Sequence, residues 1–227
     1  MGIILNIETA TKNCSVSLAK EGIVLAILEE HEEQYSHAEK LHLLIEEVCE
    51  KAGISLKELE AVAVSKGPGS YTGLRIGVSA AKGLCFALDI PLIAVGTLDV
   101  LAHSAVTKKS GMIVPLLDAR RMEVYSAVFD HTFSQIRETK AEIISEDSFA
   151  EELSRGEVVF LGDGAKKVKE ILTHKNAVFM DNSFPSAKTM SFLSEEKFKQ
   201  REFEDLAYFE PFYLKDFIAG KPKKFFN

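Results

Sequence analysis

The sequence lacks the features that mark several classes of protein. Its three cysteines, Cys14, Cys49 and Cys85, are far apart and form no C-x-x-C pair, which argues against a disulfide framework and a cysteine-based zinc site. No uninterrupted apolar run approaches the ~18 residues of a membrane span. Residues 1–7 lack the basic region and long apolar segment of a signal peptide. We therefore expect a soluble, cytoplasmic protein with reduced thiols and no membrane contact.

An excess of positive charge is also absent. The 227 residues carry a formal net charge of −7, so the surface as a whole is a poor electrostatic partner for nucleic acid. A role on RNA would need a more basic partner or a local patch. An apolar content of 46% and a charged content of 27% are ordinary for a globular protein of one large or two small domains.

The usual catalytic signatures are missing too. His37 and His42 are five residues apart, so on a helix they diverge by about 140° and make poor metal co-ligands. No G-x-S-x-G nucleophile elbow occurs. Glu8 follows the first strand, where sugar-kinase-like folds place a carboxylate, but no matching second carboxylate motif follows, which favours a solvated turn residue. We predict no catalytic residue, no metal site and no cofactor.

Three further charged segments have simple structural interpretations. Residues 162–164 (G-D-G) could contact a nucleotide, although a turn that leads into a helix explains them more simply. Asp118, Arg120 and Arg121 are typical of a charged hairpin tip. The tail at residues 221–226 (K-P-K-K-F-F) is interpreted as a frayed, solvated terminus, with contact to RNA or a partner as the alternative.

Strand and helix patterns alternate regularly in the first half. Apolar and alternating runs predict strands at residues 2–7, 15–19, 23–28, 61–64 and 91–95. Helical stripes predict helices over 36–52, 72–88 and 98–106, with capping boxes at Ser36/Glu39 and, on a short turn, at Ser55/Glu58. Three strands in hairpins followed by helix, strand, helix, strand and helix indicate a ribonuclease H-like mixed sheet.

The pattern partly restarts in the second half. Strands are predicted at residues 112–117, 124–129, 136–144 and 158–161, and helices after Ser148 and over 165–172 and 190–199. We therefore predict an α/β protein with two lobes, each a mixed sheet flanked by helices. Residues 1–104 form the first lobe. Residues 105–227 form a second, degenerate lobe, whose C-terminal tail is expected to return to the first.

The most informative stretch is the glycine loop at residues 66–77 (K-G-P-G-S-Y-T-G-L-R-I-G). It joins a strand to a helix, and it matches neither the phosphate loop of nucleoside triphosphatases nor the dinucleotide fingerprint. A helix N-terminus behind a glycine loop favours anions, whereas glycines also permit close backbone contact with a partner. A tight strand-to-helix connection without a ligand explains the spacing at least as well as a phosphate site. The pattern leaves these alternatives open.

Small residues also line one flank of the following helix. Leu74, Val78, Ala81, Cys85 and Leu88 form its core stripe, whereas Gly73, Gly77, Ala80, Leu84 and Ala87 lie beside it. Each glycine there costs roughly 1 kcal/mol relative to alanine. Close packing within the chain and docking of a helix from another chain explain these residues equally well.

Four segments together resemble the TsaB family, also called YeaZ. They are residues 4–18 (I-L-N-I-E-T-A-T-K-N-C-S-V-S-L), 66–77, 118–125 (D-A-R-R-M-E-V-Y) and 211–214 (P-F-Y-L). The resemblance implies a two-lobed fold of the acetate kinase/Hsp70/actin type and a non-catalytic subunit in the synthesis of threonylcarbamoyladenosine, next to the tRNA anticodon. The family pattern leads us to expect aspartate where this chain has Glu8, a departure that weakens any idea of kinase-type metal binding.

The resemblance also implies partners and a docking surface. The partners are the catalytic paralogue TsaD as a heterodimer, the ATPase TsaE, tRNA indirectly through the complex, and a second copy when the chain is alone. The expected docking residues are Leu41, Ile45, Val48, Tyr71, Thr72, Gly73, Arg75, Gly77, Ala80 and Leu84. A nucleotide or phosphate at the interface would contact Gly67, Gly69 and Ser70. Gly77→Leu is expected to leave the monomer folded and to abolish pairing. An independent enzyme and a tRNA-binding module are the competing hypotheses.

Overall fold

The computed structural model describes residues 2–31, 37–105 and 111–215. The strands of the first half are β1 (Ile3–Glu8), β2 (Asn13–Lys20), β3 (Ile23–His31), β4 (Ala61–Gly67) and β5 (Leu92–Gly96). Those of the second half are β6 (Met112–Asp118), β7 (Glu123–Phe129), β8 (Gln135–Ile143), β9 (Val158–Leu161) and β10 (Ala177–Met180). The helices are α1 (His37–Ala52), α2 (Tyr71–Leu88), α3 (Thr97–Ala102), α4 (Ala150–Arg155), α5 (Ala165–Lys169) and α6 (Ala187–Gln200).

The first sheet has the strand order β3-β2-β1-β4-β5. The hairpins pair β1, β2 and β3 antiparallel, whereas β4 and β5 run parallel to β1 because a helix connects each of them to the preceding strand. Helices α1 and α2 cover one face of this sheet and bury residues such as Leu41 and Val78 against it. The ribonuclease H-like order predicted from the sequence is confirmed.

The second sheet repeats the same plan. Its order is β10-β9-β6-β7-β8, with β7 and β8 antiparallel in a meander and β9 and β10 parallel to β6. Helix α3 lies between the two sheets, since Val100 packs in the core of the first and Leu101 in the core of the second. Two mixed sheets flanked by helices confirm the predicted fold class.

Helix α6 returns to the first sheet, although it falls within the predicted second lobe. Buried polar groups attach it: Asn6 Nδ2 donates to Ser191 Oγ at 3.2 Å, and Ser194 Oγ donates to Asn6 Oδ1 at 2.6 Å. Met190 packs in the same core as Ile4. The return to the first lobe therefore begins at Ala187, well before the tail, and the boundary at 104/105 stays a prediction.

Local differences from the expected elements have clear causes. The capping box at Ser55 and Glu58 is confirmed on a short 3-10 turn. Ser148 does not cap α4, because its hydroxyl accepts the Ser145 N–H and the helix starts after Phe149 in a left-handed conformation. Helix α5 ends at Lys169, short of the expected 172, and β10 was not predicted. The Ser36 cap, the predicted helix end at 106 and the tail at 221–226 lie outside the described residues.

Candidate functional site

A cleft between the lobes is the candidate site. It has a volume of about 440 Å³ and lies at the carboxyl ends of strands from both sheets. Residues 10–12 after β1 and 68–72 after β4 line one wall, and residues 117–120 at the end of β6 and Asp163 after β9 line the other. Such strand ends are the usual place for ligands in α/β sheets.

The glycine loop on the first wall packs against the chain's own backbone. A Cβ on Gly69 would lie 2.5 Å from Ala10 O, and one on Gly67, at φ +112°, would lie 2.7 Å from Phe212 O. The Ser70 N–H donates to Ala10 O at 2.7 Å. The observed contacts of the loop lie within the chain, as in a tight strand-to-helix connection, and contact of the loop with a partner stays a prediction. Gly69 and Ser70 line the cleft, Gly67 lies under Phe212, and an anion at this loop stays a prediction.

The glycines of α2 are explained in the same way. A Cβ on Gly73 would overlap Thr9 O, and one on Gly77 would overlap Thr9 Oγ1. Thr9 in turn donates from Oγ1 to Gly73 O at 2.8 Å, so the turn after β1 and the first turn of α2 interlock. Close packing within the chain therefore accounts for both glycines. The expectation that Gly77→Leu leaves the monomer folded is wrong, because the side chain has no room.

Glu8 is fully buried. The prediction of a solvated turn residue is therefore wrong. Its Oε1 accepts from the Ala10 N–H at 2.7 Å and from Ser65 Oγ at 2.8 Å, whereas Oε2 has no hydrogen-bond partner. Loss of hydration on burial raises the pKa of Glu8 to about 7, and the two hydrogen bonds oppose this rise. The side chain thus ties the turn after β1 to β4 beneath the cleft.

The two charged turns of the second lobe contact each other on the opposite wall. Asp163 Oδ1 accepts the Asp118 N–H at 2.8 Å, and Asp118 Oδ1 accepts from the Arg120 N–H at 2.7 Å and from Lys167 Nζ at 2.6 Å. The surrounding protein raises the pKa of Asp163 by displacing water. The interpretations as a hairpin tip and a helix-leading turn are consistent with this geometry, but sequence reasoning missed that the two turns meet.

A C-terminal segment, residues 203–215, crosses the cleft entrance, and we call it the strap. The Phe212 N–H donates to Lys66 O at 2.7 Å beside the glycine loop. The Tyr213 ring lies 5.1 Å from the Tyr71 ring, and Lys215 forms an ion pair with Glu123 in the second lobe. The motif P-F-Y-L at 211–214 pointed to this segment, and a return of the C-terminal tail to the first lobe was expected, but nothing in the sequence indicated which residues of each lobe the segment contacts.

The predicted docking residues divide into buried and accessible groups. Leu41, Ile45 and Val48 are at most 4% exposed and lie in the core of the first lobe, so they present no surface in the folded chain. This corrects the expectation for these three side chains. Gly73, Gly77 and Ala80 are also buried; Tyr71 and Leu84 are half-buried; Thr72 and Arg75 are exposed.

Sequence reasoning missed the most exposed apolar side chains of the same two helices. Leu43 on α1 is 57% exposed and Phe86 on α2 is 82% exposed. Both follow from helical spacing, because they lie outside the apolar stripes that face the sheet. The exposed apolar surface of α1 and α2 is therefore formed by residues that neighbour the predicted docking residues in the sequence.

Across residues 2–31, 37–105 and 111–215, no three His, Cys, Asp or Glu side chains lie close enough to hold a metal ion. The buried ring of His37 has Nε2 2.7 Å from Thr11 O, whereas His42 is exposed. No helix within these ranges is both long and apolar enough to cross a membrane.

Comparison with known proteins places the chain in a family. A family model described as "TsaD: tRNA N6-adenosine threonylcarbamoyltransferase" matches residues 28–222. The tRNA threonylcarbamoyladenosine biosynthesis protein TsaB of Escherichia coli is 32% identical over 96% of both chains. A tRNA N6-adenosine threonylcarbamoyltransferase of Staphylococcus haemolyticus is 40% identical over 41% of this chain and 32% of its own.

The fold agrees with these sequence matches. The solved structure of YeaZ from Pseudomonas aeruginosa superposes with a TM-score of 0.78 at 26% identity, covering 94% of this chain and all of the other. The predicted fold class, two mixed sheets flanked by helices, is thereby confirmed, whereas its assignment to the acetate kinase/Hsp70/actin type stays a prediction. With sequence identity along its whole length and the same architecture, the chain belongs to the TsaB (YeaZ) family of tRNA threonylcarbamoyladenosine biosynthesis proteins.

Proposed function

We propose that this chain is a non-catalytic subunit that docks on the threonylcarbamoyltransferase TsaD and activates it, and that the pair helps to recruit the ATPase TsaE. The match to TsaB proteins over nearly the full chain supports a role in this tRNA modification. The subunit reaches tRNA through the complex, consistent with its net charge of −7. Free thiols at Cys14, Cys49 and Cys85 are consistent with work in the cytoplasm.

The observation that carries the docking proposal is the exposed outer face of α1 and α2. We define the docking face by Leu43, Thr72, Arg75 and Phe86. The two helices cover the same side of the first sheet, and all four of these side chains are exposed. A phenylalanine that is 82% exposed leaves most of its apolar area in water, and aromatic side chains of this kind anchor protein interfaces.

The glycine loop supports the non-catalytic part of the proposal. Gly67 and Gly69 receive the backbone of Phe212 and Ala10, so packing within the chain accounts for both glycines without a bound phosphate. An enzyme acting alone would need a phosphate cradle or an equivalent group of catalytic side chains.

The test of docking is co-elution of the purified chain with TsaD. We expect Phe86→Ser to weaken the complex at least tenfold, because an interface anchor of this kind contributes about 2 kcal/mol or more. Phe192→Ser is the matched control: Phe192 is also exposed, at 57%, but lies on α6, behind the opposite face of the sheet. Equal retention of TsaD by wild type and Phe86→Ser would refute this docking face.

The competing functions are separated by assays on the chain alone. We expect negligible ATP turnover and weak tRNA binding, with modification restored only when TsaD, TsaE and threonylcarbamoyl-adenylate are added. Unaided modification would establish an enzyme, and tight tRNA binding would establish an RNA-binding module. Light scattering with and without TsaD measures self-association, for which the docking face is the expected surface.

A further inference from the structure

The strap is attached to both lobes by polar contacts along its length. Lys82, on α2, donates from Nζ to Phe209 O at 3.0 Å and to Ala207 O at 3.3 Å. Further on, the Phe212 N–H donates to Lys66 O next to the glycine loop. At its end, Lys215 pairs with Glu123, the first residue of β7. One continuous segment thus runs from α2 to the β6–β7 hairpin.

The middle of the strap is anchored by rings and a cation. Tyr213 packs on Tyr71, the first residue of α2, and the Arg75 guanidinium lies 4.9 Å from the centre of the Tyr71 ring. Burial raises the pKa of Tyr213, and the charge of Arg75 opposes this rise, so Arg75 also acts on the Tyr213 hydroxyl. Arg75 belongs to the docking face, so one side chain is shared between that face and the strap.

The other end of the strap adjoins the docking face as well. Tyr208 is 85% exposed and lies between the two carbonyl groups that Lys82 holds. Phe86 is four residues after Lys82, and residues spaced by four are neighbours on a helix surface. Tyr208 and Phe86, two highly exposed aromatic residues, are therefore both close to Lys82, one through the strap backbone and the other along α2.

The far end of the strap meets the β6–β7 hairpin, which Lys167 on α5 also holds by donating from Nζ to Arg121 O and Glu123 O. The hairpin tip closes through the Ala119 N–H to Glu123 O and the Glu123 N–H to Arg120 O. Arg120 and Arg121 both have positive φ, at +69° and +52°, which is unfavourable for residues with a Cβ. A strained tip of this kind is sensitive to a contact such as the Lys215–Glu123 pair that holds it.

We propose that the strap couples the docking face to the cleft between the lobes. A protein bound on the docking face covers Tyr208 and holds the strap on α2; the strap, through Tyr213 and Lys215, then holds the hairpin that forms the second wall of the cleft. The inference rests on the proposed function for the identity of the occupant, TsaD, but the coupling itself is a property of the isolated chain.

Hydrogen–deuterium exchange on the full chain tests the coupling without any partner. Lys82→Met keeps the length of the side chain and removes the donor to the strap. We expect the exchange rate of the backbone amide to rise about tenfold at Phe212 and severalfold at Ala119. The reason is that the strap opens more often once it has lost the hydrogen bonds from a charged donor. Lys51→Met, an exposed lysine on α1, is the control and should leave both amides unchanged.

The converse variant perturbs the other end. Lys215→Gln should raise exchange at residues 207–209, and its effect on Ala119 should largely disappear in the Lys82→Met background, because both changes release the same segment. Exchange that rises only next to each substitution, or additive effects on Ala119, would overturn the coupling. If the variants show the coupled changes in exchange but the wild-type chain does not co-elute with TsaD, the proposed function fails and the coupling stands.

Discussion

Replacing Glu8 by glutamine should change how the stability of the chain depends on pH. The glutamate side chain is fully buried, and its Oε1 accepts from the Ala10 N–H and Ser65 Oγ. Glutamine retains an oxygen for both donors and stays neutral at every pH. Its NH₂ group occupies the position of Oε2, which has no partner in the native chain either, so the cost of an unsatisfied polar group is similar in glutamine and in protonated glutamate.

The magnitude follows from the raised pKa. Burial moves the pKa of Glu8 from 4.5 to about 7, so the folded state favours the protonated form. The stability that this proton supports is fully present below pH 4.5 and is lost as pH rises through 7. The loss amounts to about 1 kcal/mol at pH 5 and about 3 kcal/mol at pH 8. The free energy of unfolding of Glu8→Gln, measured relative to that of wild type, should therefore rise by about 2.5 kcal/mol between pH 5 and pH 8.

Urea unfolding at several pH values from 5 to 8 measures this difference. Glu50→Gln, which removes an exposed carboxylate from α1, controls for the loss of one negative charge and should run parallel to wild type. Ser65→Ala removes a hydroxyl that lowers the pKa of Glu8, and should move the wild-type transition to higher pH. If the curves of Glu8→Gln and wild type stay parallel, Glu8 does not titrate as the burial argument requires.

The remaining predictions concern packing and thiol chemistry. Gly77→Ala should destabilise the chain by about 2 kcal/mol, since the new Cβ overlaps Thr9 Oγ1. Gly83→Ala, on the same helix with open space around it, should instead stabilise it by about 0.5–1 kcal/mol; equal effects of the two in urea unfolding would contradict the packing argument. Asn6→Ala should cost about 2 kcal/mol, because it removes both buried hydrogen bonds that join β1 to Ser191 and Ser194 and leaves Ser194 Oγ only Ser191 O as acceptor. Exchange at α6 amides should rise; unchanged α6 exchange would show that this network does not attach the helix. Burial raises the pKa of Cys14 to about 12 and that of Cys85 to about 11, so neither thiol should react with a thiol reagent at pH 8 until the chain unfolds. Rapid labelling of either thiol in the folded chain would contradict this.

Most of the fold was predictable because its signals are local. The alternating run of β2, the apolar stripe of α2 and the box at Ser55 and Glu58 each reflect burial or capping within a few residues. Strand β10 was missed because its four residues are only partly covered and alternate weakly. The return of α6 to the first sheet was missed because it depends on polar contacts between Asn6 and serines far along the chain.

The site was predictable only in part, for the same reason. The glycine loop was identified, and its residue types indicated that something approaches it closely. That the approaching atoms are Ala10 O and Phe212 O depends on two contacts distant in sequence. The family resemblance also placed Leu41, Ile45 and Val48 on a docking surface, whereas the fold buries all three in the core of the first lobe.

The amino-acid sequence alone determined the order of strands and helices, the two similar halves and the family, because these depend on patterns read along the chain. The tertiary structure alone decided what fills the space above each glycine, which helix faces remain in water, and that residues 203–215 join the lobes. These are properties of distance between segments far apart in sequence, and no local pattern records which atoms will meet.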